Sequence, residues 1–287
     1  MSVRTDLAME AREIYGKTGD LTRLKGVRAE TLDVCGCKVT RVEVLDEAGA
    51  KAIGKPVGVY VTLELEKYIS RQEDGLESVC NAFVKCIRPM LPEQGTVLIA
   101  GLGNDAITSD AVGPQTVRRL CVTRHMLKIM PESFPDMRAV ACIAPGVLGT
   151  TGIESAELVL GTVERVHPAC VIAVDALAAG SLERLCRCVQ ITDTGIIPGS
   201  GVGNARAAFT RESLGVPVIA VGVPTVVDAQ SLAEELTGTA AKDTEQMIVT
   251  PREIDVRVTD AAKVIGYGLN LALQEGFTLE DVEAFLE

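Results

Sequence analysis

The sequence predicts an α/β fold: a mostly parallel sheet flanked by helices, with an antiparallel addition at the N-terminus. Three observations carry this. Four short, nearly continuous apolar runs, TVLIAGLG from Thr96, RAVACIAPG from Arg138, CVIAVDAL from Cys170 and VPVIAVGVP from Val216, read as strands buried on both faces of a sheet. Helical patterns over Gln115–Met130 and Glu154–Val166 separate several of them. Before residue 70 the style differs. RAETLDVC, KVTRVEVL and VGVYVTLELE alternate apolar and polar residues, which implies antiparallel strands with one wet face.

The remaining elements follow in order. Residues 1–25 are polar and read as partly helical. Asp74 to Arg88 places Leu76, Val79, Cys80, Phe83 and Ile87 at helical spacing. LCRCVQIT, Leu185 to Thr192, alternates and reads as an edge strand. From Thr259 the pattern is helical, and a last helix opens at Thr278 with the capping-box pattern TLED. No repeat or low-complexity linker divides the chain, so one domain is expected.

With 287 residues, 47% of them apolar, and a mean hydropathy of +0.25, a large buried core is expected. No apolar run reaches the length of a membrane span. The first residues, MSVRTDLAMEAREIYGK, are charged and lack the apolar stretch of a secretory signal. A net charge of −11 disfavours direct contact with nucleic acid or anionic membranes and leaves basic proteins and peptides as ligands. Nine cysteines, an odd number, fit free thiols in a reducing compartment. Cys35 with Cys37 and Cys186 with Cys188 have CxC spacing. On a strand each pair would share a face and be able to bind a soft metal, although small core residues are the plainer reading.

Sites in open parallel sheets form at the carboxyl ends of strands. Two such ends carry acids: Asp110, in GLGNDAITSDAVGP after TVLIAGLG, and Asp175, at the end of CVIAVDAL. Two carboxylates at one rim can bind a metal, or share a proton and activate water. The plain alternatives are that Asp110 caps the helix beginning near Gly113-Pro114, and that Asp175 bonds to loop amides. Two glycine-rich stretches, Pro145 to Gly152 and Thr192 to Asn204, fit either tight turns or the walls of a cleft for an extended peptide.

Other patterns are weaker. GLGNDA has Ala106 at the last position of a GxGxxG-like match, and no acid is well placed for a ribose. Asp193-Thr194-Gly195 copies the DTG triplet of all-β aspartic proteases, but it occurs once in a chain that reads as α/β, so Asp193 ranks second as a catalytic candidate. The only histidines, His125 and His167, fall on or at the end of predicted helices. Ser200 in GSG has no evident base, and no HExxH occurs.

Taken together, GLGNDAITSDAVGP, PGVLGTTGIES, VDALAA, TDTGIIPGSGVGN, GVPTVV, MIVTPREID and the N-terminal VRTDLAMEA resemble the germination protease family of spore-forming bacteria, from Val3 to about Asp255. The resemblance implies an atypical aspartic endopeptidase, related in fold to hydrogenase maturation peptidases, that degrades small acid-soluble spore proteins in the cytoplasm of the spore core. It implies a homotetramer made as a zymogen. Matched by motif, its acids are Asp110 and Asp175. The family's substrates are cut between an acidic residue and an apolar residue followed by alanine. Asp6-Leu7-Ala8 has that form, so the resemblance predicts self-cleavage between Asp6 and Leu7, with residues 1–6 as propeptide and 7–287 as the peptidase domain. The hydrogenase maturation peptidases add a later histidine around nickel. None follows His167 here, so no metal and no cofactor are expected. A metal-dependent maturation peptidase or a non-catalytic relative is the alternative.

Overall fold

The computed structural model describes residues 5–18, 25–203, 206–237 and 247–287. Among these, nine strands form one sheet: β1 (Val27–Val34), β2 (Cys37–Val44), β3 (Gly58–Glu64), β4 (Val97–Gly101), β5 (Val140–Ile143), β6 (Cys170–Ala179), β7 (Cys188–Thr192), β8 (Val218–Asp228) and β9 (Ile248–Val249). Their spatial order is β1-β2-β3-β7-β8-β6-β4-β5, with β9 paired to β8. The four apolar runs are the parallel strands β5, β4, β6 and β8. The N-terminal strands are antiparallel and join them through β7.

Alternate side chains of the parallel strands feed two cores. Val97, Ile99, Ile172 and Val174 pack with Phe83, Val264 and Ile265, on helices Gly75–Ile87 and Ile254–Leu273. Leu98, Ala100, Val171 and Ala173 pack against Val159 and Val163, on helix Ser155–Val166, and against Phe209 and Leu214. The sheet is therefore covered by helices on both faces, as the unbroken apolar runs require.

Several elements differ from the pattern-based expectation. The stretch 115–130 is two short helices, Val112–Val117 and Arg124–Ile129. Between them the side chain of Asn270 replaces helical hydrogen bonds: Cys121 N donates to Asn270 Oδ1 at 2.9 Å, and Asn270 Nδ2 donates to Arg119 O at 2.8 Å. The long C-terminal helix begins earlier than Thr259, at Ile254. The last helix, Leu279–Leu286, is capped by Thr278 as TLED predicts.

Strand β7 is interior rather than an edge, because it pairs with β3 on one side and β8 on the other, and its polar Gln190 is buried against protein. Gln190 Oε1 accepts from Ala8 N at 2.8 Å. Nor do β2 and β3 keep a wet face. Ala8 and Met9, on helix Ala8–Thr18, cover Val42, Val44 and Tyr60.

Neither CxC pair lies on one strand. Cys35 (φ 54) and Gly36 (φ 72) form the two-residue turn between β1 and β2, and Cys186 (φ 57) precedes β7. The premise of a shared strand face therefore fails for both pairs. All nine cysteines are free thiols, and burial pushes Cys80 and Cys186 up to about 12, as in inert core thiols. Among the described residues, no group of three or more His, Cys, Asp or Glu is arranged to hold a metal. No helix among them is long and apolar enough to cross a membrane.

Candidate active site

Strand β4 leads to β5 on one side, whereas β6 leads toward β7 and β8 on the other. The carboxyl end of β4, and the part of β6 that runs beyond it, therefore border the crevice at which such sheets bind ligands. Gly101 of β4 is in register with Val174 of β6, and Leu102 N donates to Val174 O at 2.8 Å.

The glycine turn then reverses the chain. Gly103 has φ +107, and a Cβ there would collide with the carbonyl oxygen of Asp110. Asn104 accepts from Ile107 N through its carbonyl at 3.0 Å and from Ala106 N through Oδ1 at 3.0 Å. Asn104 N donates to Asp110 Oδ2 at 2.7 Å, which pins the carboxylate back onto the turn. A Cβ on Gly113 would stand 2.5 Å from Val174 O, so helix Val112–Val117 lies directly on the strand ends.

This turn positions a carboxylate. Asp110 does not cap the following helix, whose N-cap is Ala111. Its partner Asp175 lies within β6 rather than at its end, opposite Gly222 of β8 and one residue past the point where β4 stops pairing, and it is only 4% exposed. Burial first, and the negative charge of Asp110 second, push the Asp175 carboxyl well above its ordinary range. Asp110 is half-buried. Burial raises its pKa too, and the Asn104 amide works against that rise.

Both acids line one cavity of about 430 Å³. The glycine-rich stretches supply parts of its wall at Val147 to Gly149 and at Pro198, Gly199 and Gly201. Ile107 and Ile248, both more than half exposed, give the wall an apolar part.

The other sequence candidates lie elsewhere. Asp105 faces outward and pairs with Arg118. Asp193 is exposed, does not line the cavity, and accepts from Val59 N at 2.8 Å, so it ties β3 to the loop after β7. His125 is on helix Arg124–Ile129, and His167 (φ 50) ends helix Ser155–Val166. Neither lines the cavity. Ser200 Oγ donates to Asp6 at 3.0 Å, and no histidine stands with them.

Sequence reasoning named Asp6 only as the predicted self-cleavage residue and missed two other contributors. Asp6 reaches the cavity wall. Arg206 lines it and pairs with Glu154 at 3.9 Å. Thr225 also lines it, and its buried hydroxyl has no hydrogen-bond partner among the described residues. The one available signal was the polar threonine inside the apolar run GVPTVV.

The sequence model of the family described as germination protease matches residues 5–242. The chain belongs to the germination protease family. As a member it is a peptidase of spore germination. It is 42% identical to the germination protease of Clostridium perfringens, with 99% of each chain covered. It is also 42% identical to that of Caldanaerobacter subterraneus, over 100% of this chain and 98% of the relative. The Priestia megaterium germination protease is 44% identical over 82% of this chain and 66% of its own. Among solved structures, the NiFe hydrogenase maturation protease HycI of Thermococcus kodakarensis aligns with a TM-score of 0.37 and 17% identity, over 64% of this chain and 98% of that one.

Proposed function

We propose that the chain is an endopeptidase that degrades small acid-soluble spore proteins during germination, with Asp110 and Asp175 activating the attacking water. The observation that carries this reading is two carboxylates on one cavity at the crevice between β4 and β6, one of them almost wholly buried. Their environments separate their roles. Asp175, held protonated by burial and by its neighbour, is the acid. Asp110, more exposed and bonded to an amide, ionises first and is the base.

In the proposed reaction, water gives a proton to Asp110 as its oxygen bonds to the scissile carbonyl carbon. Asp175 donates a hydrogen bond to the carbonyl oxygen. Collapse of the tetrahedral adduct breaks the C–N bond, and the amine leaves with the proton from Asp110. Backbone amides of the glycine-rich walls stabilise the oxyanion. No step uses a metal or cofactor.

Self-cleavage between Asp6 and Leu7 is part of the proposal, and the place of Asp6 on the cavity wall supports it. Leu7 is fully buried among Leu177, Cys188 and Ile196, so this segment must open locally before its bond can be attacked. An active preparation whose intact mass never shows loss of residues 1–6 would refute it. The homotetramer, the location in the spore core and the absence of direct nucleic-acid or membrane contact are expectations from the resemblance and the charge.

A digestion tests the core of the proposal. The full chain is incubated with a peptide carrying an acid–apolar–Ala sequence, with and without chelator, beside Asp110→Asn, and products are read by mass. One cut, resistant to chelator and lost in the variant, is expected. A cut that survives Asp110→Asn moves the chemistry away from this pair, and a cut lost with chelator restores a metal.

A further inference from the structure

Four backbone donors of the turn that delivers Asp110 are spent within it. Asn104 N–H donates to Asp110 Oδ2 at 2.7 Å, Ala106 N–H to Asn104 Oδ1 at 3.0 Å, Ile107 N–H to Asn104 O at 3.0 Å, and Asp110 N–H to Ile107 O at 2.8 Å. The second bond fixes the Asn104 side chain. Only an oxygen accepts from the Ala106 N–H, so Oδ1 faces that amide and Nδ2 faces away from it. Among the described residues Nδ2 meets no acceptor, although Asn104 lines the cavity of the two acids. The residue also stands between those acids. Its own N–H is bonded to Asp110, and two residues earlier Leu102 N–H is bonded to Val174 O, next to Asp175.

We propose that Asn104 is a third catalytic group, whose Nδ2–H donates to the scissile carbonyl oxygen as that oxygen gains negative charge in the tetrahedral adduct. The inference deepens the two-aspartate peptidase reading and rests on it. Asp175 and Asn104 then hold the same oxygen, beside any backbone amides of the glycine-rich walls, and no bond to Asn104 forms or breaks. Three features favour this role over a purely structural one. An oxyanion forming beside the Asp110 carboxylate needs a donor without charge. A lysine or arginine there would pair with Asp110, lower its pKa and weaken it as a base, whereas an amide donates with no net charge. The one cation lining the cavity among the described residues, Arg206, is engaged with Glu154. The donor is also preorganised, since Ala106 holds Oδ1 and Asp110 holds the backbone, so nothing has to turn when the charge develops. Finally, the turn itself uses only the side-chain oxygen, which an aspartate or a serine would supply equally. The unused half of the amide is the half that meets the cavity.

The test uses the full chain and a peptide with an acid–apolar–Ala sequence. Asn104→Asp and Asn104→Ser each keep an oxygen for the Ala106 N–H and remove Nδ2; the serine hydroxyl ends where the amide carbon stood. Both variants are expected to melt as the unaltered chain does. Their kcat is expected to fall roughly 10²–10³-fold with KM within about three-fold, the pattern of a lost oxyanion donor. Two uncleavable versions of the peptide separate catalysis from structure. In one the scissile amide is a phosphinate, which presents a tetrahedral oxyanion. In the other it is a reduced amide, CH2–NH, which has no oxygen there. Asn104→Ser is expected to bind the phosphinate about 100-fold more weakly and the reduced amide unchanged. In the unaltered chain, the NMR signals of the Asn104 side-chain NH2 are expected to move downfield with the phosphinate and to stay in place with the reduced amide, a readout that needs no variant. Folded variants that cut within about two-fold of the unaltered rate, equal weakening of both ligands, or unmoved NH2 signals overturn the inference. Cutting that survives Asp110→Asn ends the two-aspartate reading and this inference with it. Cutting lost in Asp110→Asn but kept in Asn104→Ser ends this inference alone.

Discussion

Two cavities of nearly equal volume, about 440 and 430 Å³, share Asp6 and Leu177 as a wall, yet their chemistry is opposite. Around Asp6 the donors are matched: the Ser200 hydroxyl and the Ala178 N–H meet its carboxylate, and the Lys55 ammonium and the Gln190 amide meet its backbone carbonyl. In the second, Asp175 has a like-charged neighbour, and Arg206, which lines the same cavity, is engaged with Glu154. An acid with donors on its carboxylate is held in place. An acid buried beside another acid keeps its proton and therefore suits proton transfer. One strand, β6, carries both Asp175 and the Ala178 that holds Asp6, and both residues line the second cavity.

This contrast can be broken experimentally. The largest effect is expected from Asp110→Asn and Asp175→Asn, each lowering kcat on a peptide by on the order of 10³-fold, the scale of general acid–base catalysis. Full activity in both would end the proton-transfer role of the second cavity. Gly103→Ala comes next. At φ +107, with its new methyl against the Asp110 carbonyl, it is expected to cost roughly 1–3 kcal/mol in a urea melt and to lower activity at least ~10-fold by displacing Asp110. An unchanged melt and rate would mean that the turn does not position the acid.

A third test concerns stability against pH. Because the folded Asp175 pKa is raised, its ionisation works against the fold. The cost is absent below the unfolded value near 3.8 and grows as pH rises toward the folded value. Asp175→Asn removes that cost, so the variant is expected to be the more stable protein at pH 7, with an advantage that shrinks on acidification and vanishes below about pH 3.8. A variant less stable than wild type at pH 7 would show that the carboxylate is satisfied where it lies. The smallest effect is expected for Asp193→Asn. It weakens one bond to Val59 N outside both cavities, worth about 1 kcal/mol, and activity should stay within roughly two-fold. A large activity loss there would reopen the DTG acid as a catalytic group.

Much of this was legible in the chain because the signals are local. Asp110 and Asp175 stood out since an unbroken apolar run marks a buried strand, and an acid after or inside such a run is conspicuous, although Asp175 lies within β6 and not at its end. The same locality misled elsewhere. Alternation in β7 looked like an edge, but its polar residues face the N-terminal segment. The helix expected over 115–130 was broken by a side chain from residue 270. CxC spacing suggested shared faces, but a positive φ at Cys35 and Cys186 put the first thiol of each pair in a turn.

By itself the sequence determined most of the strands, the glycine turn after β4 and the two acids that follow or interrupt an apolar run, because each depends on residues within a few positions of one another, but it placed Asp175 at a strand end when β6 runs on to Ala179. Only the tertiary structure decided that β4 lies beside β6, that Asp193 is left outside, and that Asp6 is gripped by Lys55, Gln190, Ala178 and Ser200. Strand order and the seating of the N-terminal segment are set by contacts between residues tens to nearly two hundred positions apart. Such contacts are chosen by which faces the whole chain can bury together, a property that no single stretch carries.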